Sequence, residues 1–121
     1  MTWEDVIALG HELPEVEVST SYGTPALKVH GKLITRLRPE DDSLVLPEVS
    51  IDERAVLIEA DPETFHTTAH YVDYPIVLAR LAALEPVRLR PFLLRRWRAV
   101  VPKRLVARAA DAPIKSESGK R

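Results

Sequence analysis

Hydrophobic and polar positions change period several times along this chain, and each change marks an element. Trp3, Val6, Ile7 and Gly10 recur at i, i+3, i+4 and i+7, one side of a short helix, with Thr2 placed as N-cap and Asp5 at the third helical position. Pro14 stops that helix. From Glu15 to Ser21 the period becomes two, with Val16, Val18 and Thr20 on one face and Glu15, Glu17 and Ser19 on the other, as in a half-exposed strand. Tyr22-Gly23-Thr24-Pro25 reads as a turn, and strands Ala26 to Val29 and Lys32 to Arg38 follow about His30-Gly31. Strict alternation in the second of these sends Leu33, Thr35 and Leu37 one way and Lys32, Ile34, Arg36 and Arg38 the other. One face of the hairpin is therefore expected to be strongly basic.

An acidic loop, Glu40-Asp41-Asp42-Ser43, leads to a short strand, Leu44 to Leu46, ended by Pro47. Ser50-Ile51-Asp52-Glu53 is a capping box that opens a helix to about Ala60, closed by Asp61-Pro62. Thr64 to Thr68 and Ile76 to Leu84 suggest a second hairpin, although the latter segment fits a helix equally well on propensity. From about Arg90, Leu93, Leu94, Trp97, Val100 and Val101 share a helical side, with Pro91 expected to limit where the helix begins and Pro102 to end it. Lys103 to Ala110 predicts one more short helix. The expected organisation is a single domain over residues 1–110 and a polar, flexible tail over 111–121.

Composition narrows the chemistry. A chain of 121 residues that is 45% hydrophobic suffices for one core. The absence of cysteine excludes disulfides, thiolate zinc sites and a cysteine nucleophile, and fits a cytoplasmic location. No export signal or membrane-spanning run is apparent, so no membrane partner is expected. Net charge is only −1, yet residues 1–85 hold six basic and 16 acidic residues, against 11 basic and two acidic in residues 86–121. That segregation has two readings: a basic C-terminal helix packed beside an acidic body, or a basic surface that meets phosphate.

Catalytic patterns are weak. His66 and His70 have metal-ligand spacing on a helix but lie about 13 Å apart on a strand, and Glu40, Asp41 and Asp42 fit a solvated turn better than a cation site. No serine sits in a nucleophile elbow, and four glycines supply no phosphate-binding loop. Glu15 and Glu17 are better placed to oppose Lys28 across strands than to act as an acid–base pair. The basic groups carry more weight. Lys28, Lys32, Arg36 and Arg38, with His30, are expected on the first hairpin, and Arg95, Arg96, Arg98, Lys103 and Arg104 in the C-terminal helices. Trp97 reads as core, and Tyr22, Tyr71 and Tyr74 fall in loops, as a recognition patch or as a lid on the core.

The fragments Leu13-Pro14-Glu15-Val16, Ser21-Tyr22-Gly23-Thr24-Pro25-Ala26, Val29-His30-Gly31-Lys32-Leu33, Asp61-Pro62-Glu63-Thr64-Phe65, His70-Tyr71, Tyr74-Pro75 and Trp97-Arg98-Ala99-Val100-Val101-Pro102-Lys103-Arg104 together resemble the MmcQ/YjbR family, over nearly the whole chain to about Leu105. The resemblance implies a two-layer α+β fold, an antiparallel sheet packed by helices, with a topology likened to frataxin-type CyaY proteins. It implies that Ile76 to Leu84 is a strand, and DNA binding through a double wing formed by Ala26 to Arg38 and Thr64 to Leu84. The first wing is basic; the second offers only Arg80 and His66. The function expected is therefore a non-enzymatic, cofactor-free and metal-free protein that contacts duplex DNA phosphates through Lys28, Lys32, Arg36 and Arg38, supported by Arg95, Arg98, Lys103 and Arg104. The alternative is a protein-interaction or small-ligand module using Tyr22, His30, His70, Tyr71 and Tyr74.

Overall fold

Two tight turns set the register of the first three strands. Tyr22 and Gly23 have φ of 53° and 75°, and His30 and Gly31 have 50° and 79°. Positive φ at both central residues is the two-residue hairpin turn whose twist matches that of its strands. They join β1 (Val16–Ser21), β2 (Thr24–Val29) and β3 (Lys32–Arg38), with Ser21 opposite Thr24 and Val29 opposite Lys32. The computed structural model describes the backbone of residues 1–111 and the side chains of residues 1–107.

The remaining strands are β4 (Ser43–Pro47), β5 (Phe65–His66) and β6 (Ile76–Arg80), and the six form one antiparallel sheet in the order β1-β2-β3-β4-β6-β5. Helices α1 (Trp3–Gly10), α3 (Pro86–Val100) and α4 (Lys103–Asp111) contribute to one core against the sheet, and α2 (Ile51–Ala60) packs on β5 and β6. The protein is α+β, as expected. Leu27, Val29, Leu44, Leu46, Val77, Ala79 and Phe65 bury one sheet face against Val6 and Leu9, Leu89, Leu93 and Trp97, and Leu105. Trp97 is fully buried and its indole N–H donates to the Pro14 carbonyl at 2.9 Å. Gly10 lets α1 approach β2, because a Cβ there would lie 2.5 Å from Leu27 Cδ1.

Four local expectations need correction. The register between β2 and β3 shifts between Leu27 and Lys28, so Ile34 is an extra residue on β3. This bulge breaks the alternation: Ile34 and Thr35 are both buried, Lys32 stands opposite the core residue Val29, and Lys28, Arg36 and Arg38 remain on the helix-free face without it. The second hairpin is shorter than expected, since β5 has two residues and β6 ends at Arg80, with a 3₁₀ turn over Leu81–Ala83. α3 begins at Pro86 rather than near Arg90; Pro86 occupies the favoured first turn, and Pro91 is accommodated inside the helix. The Ser50 hydroxyl accepts from the Glu53 N–H, but the Glu53 carboxylate turns to Arg95 instead of closing the box. At α1 both halves form between Thr2 and Asp5, and the Thr2 N–H holds the Asp5 carboxyl below its ordinary range. The expected tail beyond Asp111 lies outside the described residues.

The segregated charge meets across the fold. Arg88 pairs with Asp61, Arg90 with Glu12, Arg95 with Glu53 and Arg96 with Glu48, at 2.7 to 2.9 Å. α3 thus ties the end of α1, the approach to α2, α2 itself and its exit. The Arg88 hydrogen bond holds the Asp61 carboxyl below its usual range, and Glu12 raises the Arg90 pKa.

Candidate functional site

The helix-free face of the sheet is partly roofed by the segment between β5 and β6. Tyr71 from that segment is buried and packs with Val45 of β4 and Leu78 of β6, with Ile76 against them. Beside this cluster lies a cavity of about 520 Å³ lined by Leu33, Arg36, Val45 and Ile76 from the sheet and by Tyr22, His70, Tyr71 and Tyr74 from loops. Tyr22 is 93% exposed and Tyr74 55%, so the rim is open aromatic surface while Tyr71 forms a buried wall. The His70 ring meets Tyr71 edge-on, centroids 4.6 Å apart.

Arg36 supplies the polar floor. One guanidinium nitrogen donates to Thr24 Oγ1 at 3.2 Å and the other to Tyr71 Oη at 2.6 Å, and Tyr22 lies over the group with its centroid 5.9 Å away. Both partners are neutral hydroxyls, and no carboxylate pairs with Arg36 among the described residues. Thr24 spends its own proton on the Ser21 carbonyl at 2.8 Å. Tyr71 Oη accepts from Arg36. The cavity therefore presents the remaining guanidinium N–H groups, the hydroxyls of Tyr22, Tyr71 and Tyr74 and a ring N–H of His70, with no acid in its lining among the described residues. Such a surface favours an anion with a flat or apolar body.

Arg54 builds the roof. It is 5% exposed, reaches from α2, and donates to the carbonyls of Tyr71, Val72, Tyr74 and Ile76 at 2.7 to 3.1 Å. Backbone bonds from Tyr71 to Thr68, Tyr74 to Tyr71 and Ile76 to Tyr74 tighten the same segment. The positions of Tyr71 and Tyr74 follow from one arginine on α2. Sequence reading did not mark Arg54, whose signal is faint: a lone arginine where α2 turns toward the sheet.

Further along the face, Ser43 Oγ lies 2.9 Å from His66 Nε2, and Asp41 Oδ2 lies 3.7 Å from that same nitrogen. The grouping has the residue types of a hydrolytic triad but not its geometry, because the acid does not address the opposite ring nitrogen and Ser43 is fully buried. Burial, then Arg80 and Arg38, lowers the His66 pKa against the pull of Asp41, favouring a neutral ring beside the Ser43 hydroxyl. Burial alone would raise the Asp41 carboxyl, but Arg38, Ser43 and His66 together hold it low; Asp41 likewise raises Arg38 despite its burial.

The residues expected to meet phosphate are dispersed. Lys28 stands opposite Glu17 and Leu33 on the helix-free face. Lys32 begins β3 on the other side of the bulge. Arg38 pairs with Asp41 at 3.3 Å and Arg95 with Glu53 at 2.8 Å. Arg98, Lys103 and Arg104 are exposed at the C-terminal end of α3 and the start of α4. Of the expected ligand patch, Tyr22, His70, Tyr71 and Tyr74 converge on the cavity, whereas His30 stands apart on the β2–β3 turn, bonded to Glu15 at 2.5 Å. His66 and His70 likewise have separate partners. A second hollow of about 640 Å³ lies between α1 and the start of α3, where Asp5, Glu12 and Glu85 line it and its Arg90 is held by Glu12. No helix among the described residues is long and apolar enough to cross a membrane.

No family model and no solved structure matches the chain. It is similar to an uncharacterised protein of Mycobacterium tuberculosis and to one of Mycobacterium bovis, each 29% identical over an alignment spanning 87% of this chain and 92% of the relative.

Proposed function

We propose that this protein is a non-enzymatic binding module whose helix-free sheet face takes a small organic anion. The carrying observation is Arg36, a guanidinium with only neutral hydroxyl partners on the floor of an aromatic-lined cavity, in a chain where four arginines of α3 each reach a carboxylate. A carboxylate or phosphate on Arg36 and the Tyr71 hydroxyl, with a planar body against Tyr22 and Tyr74, matches both the polar floor and the aromatic rim. Backbone NMR titration with benzoate and with a nucleoside monophosphate tests this. Shifts confined to Tyr22, Leu33, Arg36, His70, Tyr71 and Tyr74, and lost in Arg36→Ala, support it; the absence of shifts at millimolar probe rejects it.

Duplex DNA is the second reading, favoured by Lys28, Lys32, Arg98, Lys103 and Arg104, which pair with no carboxylate among the described residues. Membership of the MmcQ/YjbR family belongs with it, supported by the fragments quoted above and by the two hairpins. Anisotropy of a labelled duplex should then show affinity falling steeply with salt, and Lys103→Ala should weaken binding across sequences alike. No binding at low salt rejects this reading and leaves the cavity untouched.

A further inference from the structure

The two ends of the sheet differ. At one, β5 has only two residues, a length that offers little to a neighbouring strand. At the other, β1 runs for six residues in unbroken register with β2, and contains no proline, lysine or bulge. Its hydrogen-bond phase follows from the turn. In a two-residue hairpin with positive φ at both central positions, the flanking pair, here Ser21 and Thr24, is hydrogen-bonded. Ser21, Ser19 and Glu17 therefore address β2, and the N–H and C=O groups of Val16, Val18 and Thr20 face outward. Val18 is 52% exposed at the middle of that row.

We propose that two copies of this chain associate edge to edge through β1, antiparallel about Val18, to form one continuous sheet. In that register Val18 meets Val18 of the second copy, Val16 meets Thr20, and Glu17 meets Ser19. Every outward-facing residue meets an outward-facing residue, so the row forms about six hydrogen bonds across the two-fold axis. Val18 gains a β-branched cross-strand partner. Glu17 faces a serine and keeps Lys28 as its neighbour on β2. The adjacent registers are worse: centring on Glu17 sets two carboxylates directly opposite, and centring on Ser19 carries Val16 past the strand to the Tyr22 turn. Self-association is thus specified by phase and charge together. With little besides one strand pair to bury, it is weak and concentration-dependent.

The chain contains no cysteine, so a single introduced thiol reports on contact. A pair of directly opposed hydrogen-bonded residues has Cα atoms about 5.5 Å apart, within disulfide reach. Val18→Cys should oxidise to a covalent dimer at least tenfold faster than Val56→Cys, placed on exposed α2. In sedimentation, the wild-type chain should move from monomer toward dimer as concentration rises. Val18→Pro should stay monomeric with unchanged circular dichroism, since the N–H it removes points away from β2. A wild-type chain that is monomeric at every concentration, as it would be if a foreign peptide were the partner of this edge, overturns the proposal. So does equal cross-linking of the two cysteine variants, or dimerisation of folded Val18→Pro.

Discussion

The arginines of α3 and those at Arg36 and Arg54 solve opposite problems. Arg88, Arg90, Arg95 and Arg96 each reach a carboxylate near the surface, where water competes and each pair contributes little. Arg54 is buried and Arg36 half-buried, and both are held by uncharged oxygens: four backbone carbonyls for one, two hydroxyls for the other. The first set shapes the molecule through many replaceable contacts. The second set concentrates its effect on one loop and one cavity, where a single substitution leaves groups that water reaches poorly.

The largest expected effect is at Arg54. Arg54→Met removes the arginine donor from four carbonyls, of which those of Tyr71 and Tyr74 keep a backbone N–H, and should lower stability by about 3 kcal/mol in urea denaturation. A loss below about 1 kcal/mol would place Arg54 among the replaceable contacts. Arg36→Ala comes next. Affinity for benzoate or a nucleoside monophosphate should drop about tenfold or more, close to 1.4 kcal/mol, while the melting temperature changes little; Tyr22→Ala should follow in the same direction with a smaller loss. His66 gives a pH test of the same face. Burial holds its folded pKa below the ordinary imidazole value, so folding favours the neutral ring. Stability should be insensitive to His66 above that value and fall as pH drops below it toward the folded pKa, and His66→Gln should flatten that part of the profile. Asp41 and Asp61 are depressed carboxyls, so their contribution is present above the ordinary carboxylate pKa and is lost only at more acidic pH. The smallest effect belongs to α3: Arg95→Ala should cost about 0.2 to 1 kcal/mol and less at high salt. A larger, salt-insensitive loss would show that the clasp matters more than its exposure suggests.

Much of the fold was legible because its signals are local. Gly31, Ser50 and Pro102 mark boundaries within a residue or two of where the elements begin or end, whereas α1 stops at Gly10, four residues before Pro14; the Trp97 side of α3 is buried as its spacing predicts. The bulge at Ile34 was not legible, since Lys-Leu-Ile-Thr-Arg-Leu-Arg alternates acceptably and only pairing with β2 reveals the extra residue. Proline misled at α3, where Pro86 supplied a better start than Pro91. The candidate site is half visible in the sequence: three tyrosines and His70 stand out, but Arg36 looks like one more surface cation beside the lysines, and His30 looks like part of the patch although a turn removes it. What separates Arg36 from its neighbours is the identity of its partners, Thr24 and Tyr71, and those are 12 and 35 residues away.

The Arg54 bridge also determines how the loop between β5 and β6 moves. A loop fastened only at its ends opens by itself, exchanging its amide protons at little free-energy cost. Here the carbonyls of Tyr71, Val72, Tyr74 and Ile76 converge on a side chain rooted in α2, so the segment cannot lift far without releasing that arginine. Loop and helix become one cooperative unit. Hydrogen exchange over residues 71–76 should then track that of α2, giving a surface loop the protection of a helix and the cavity a wall that stands ready before any ligand arrives.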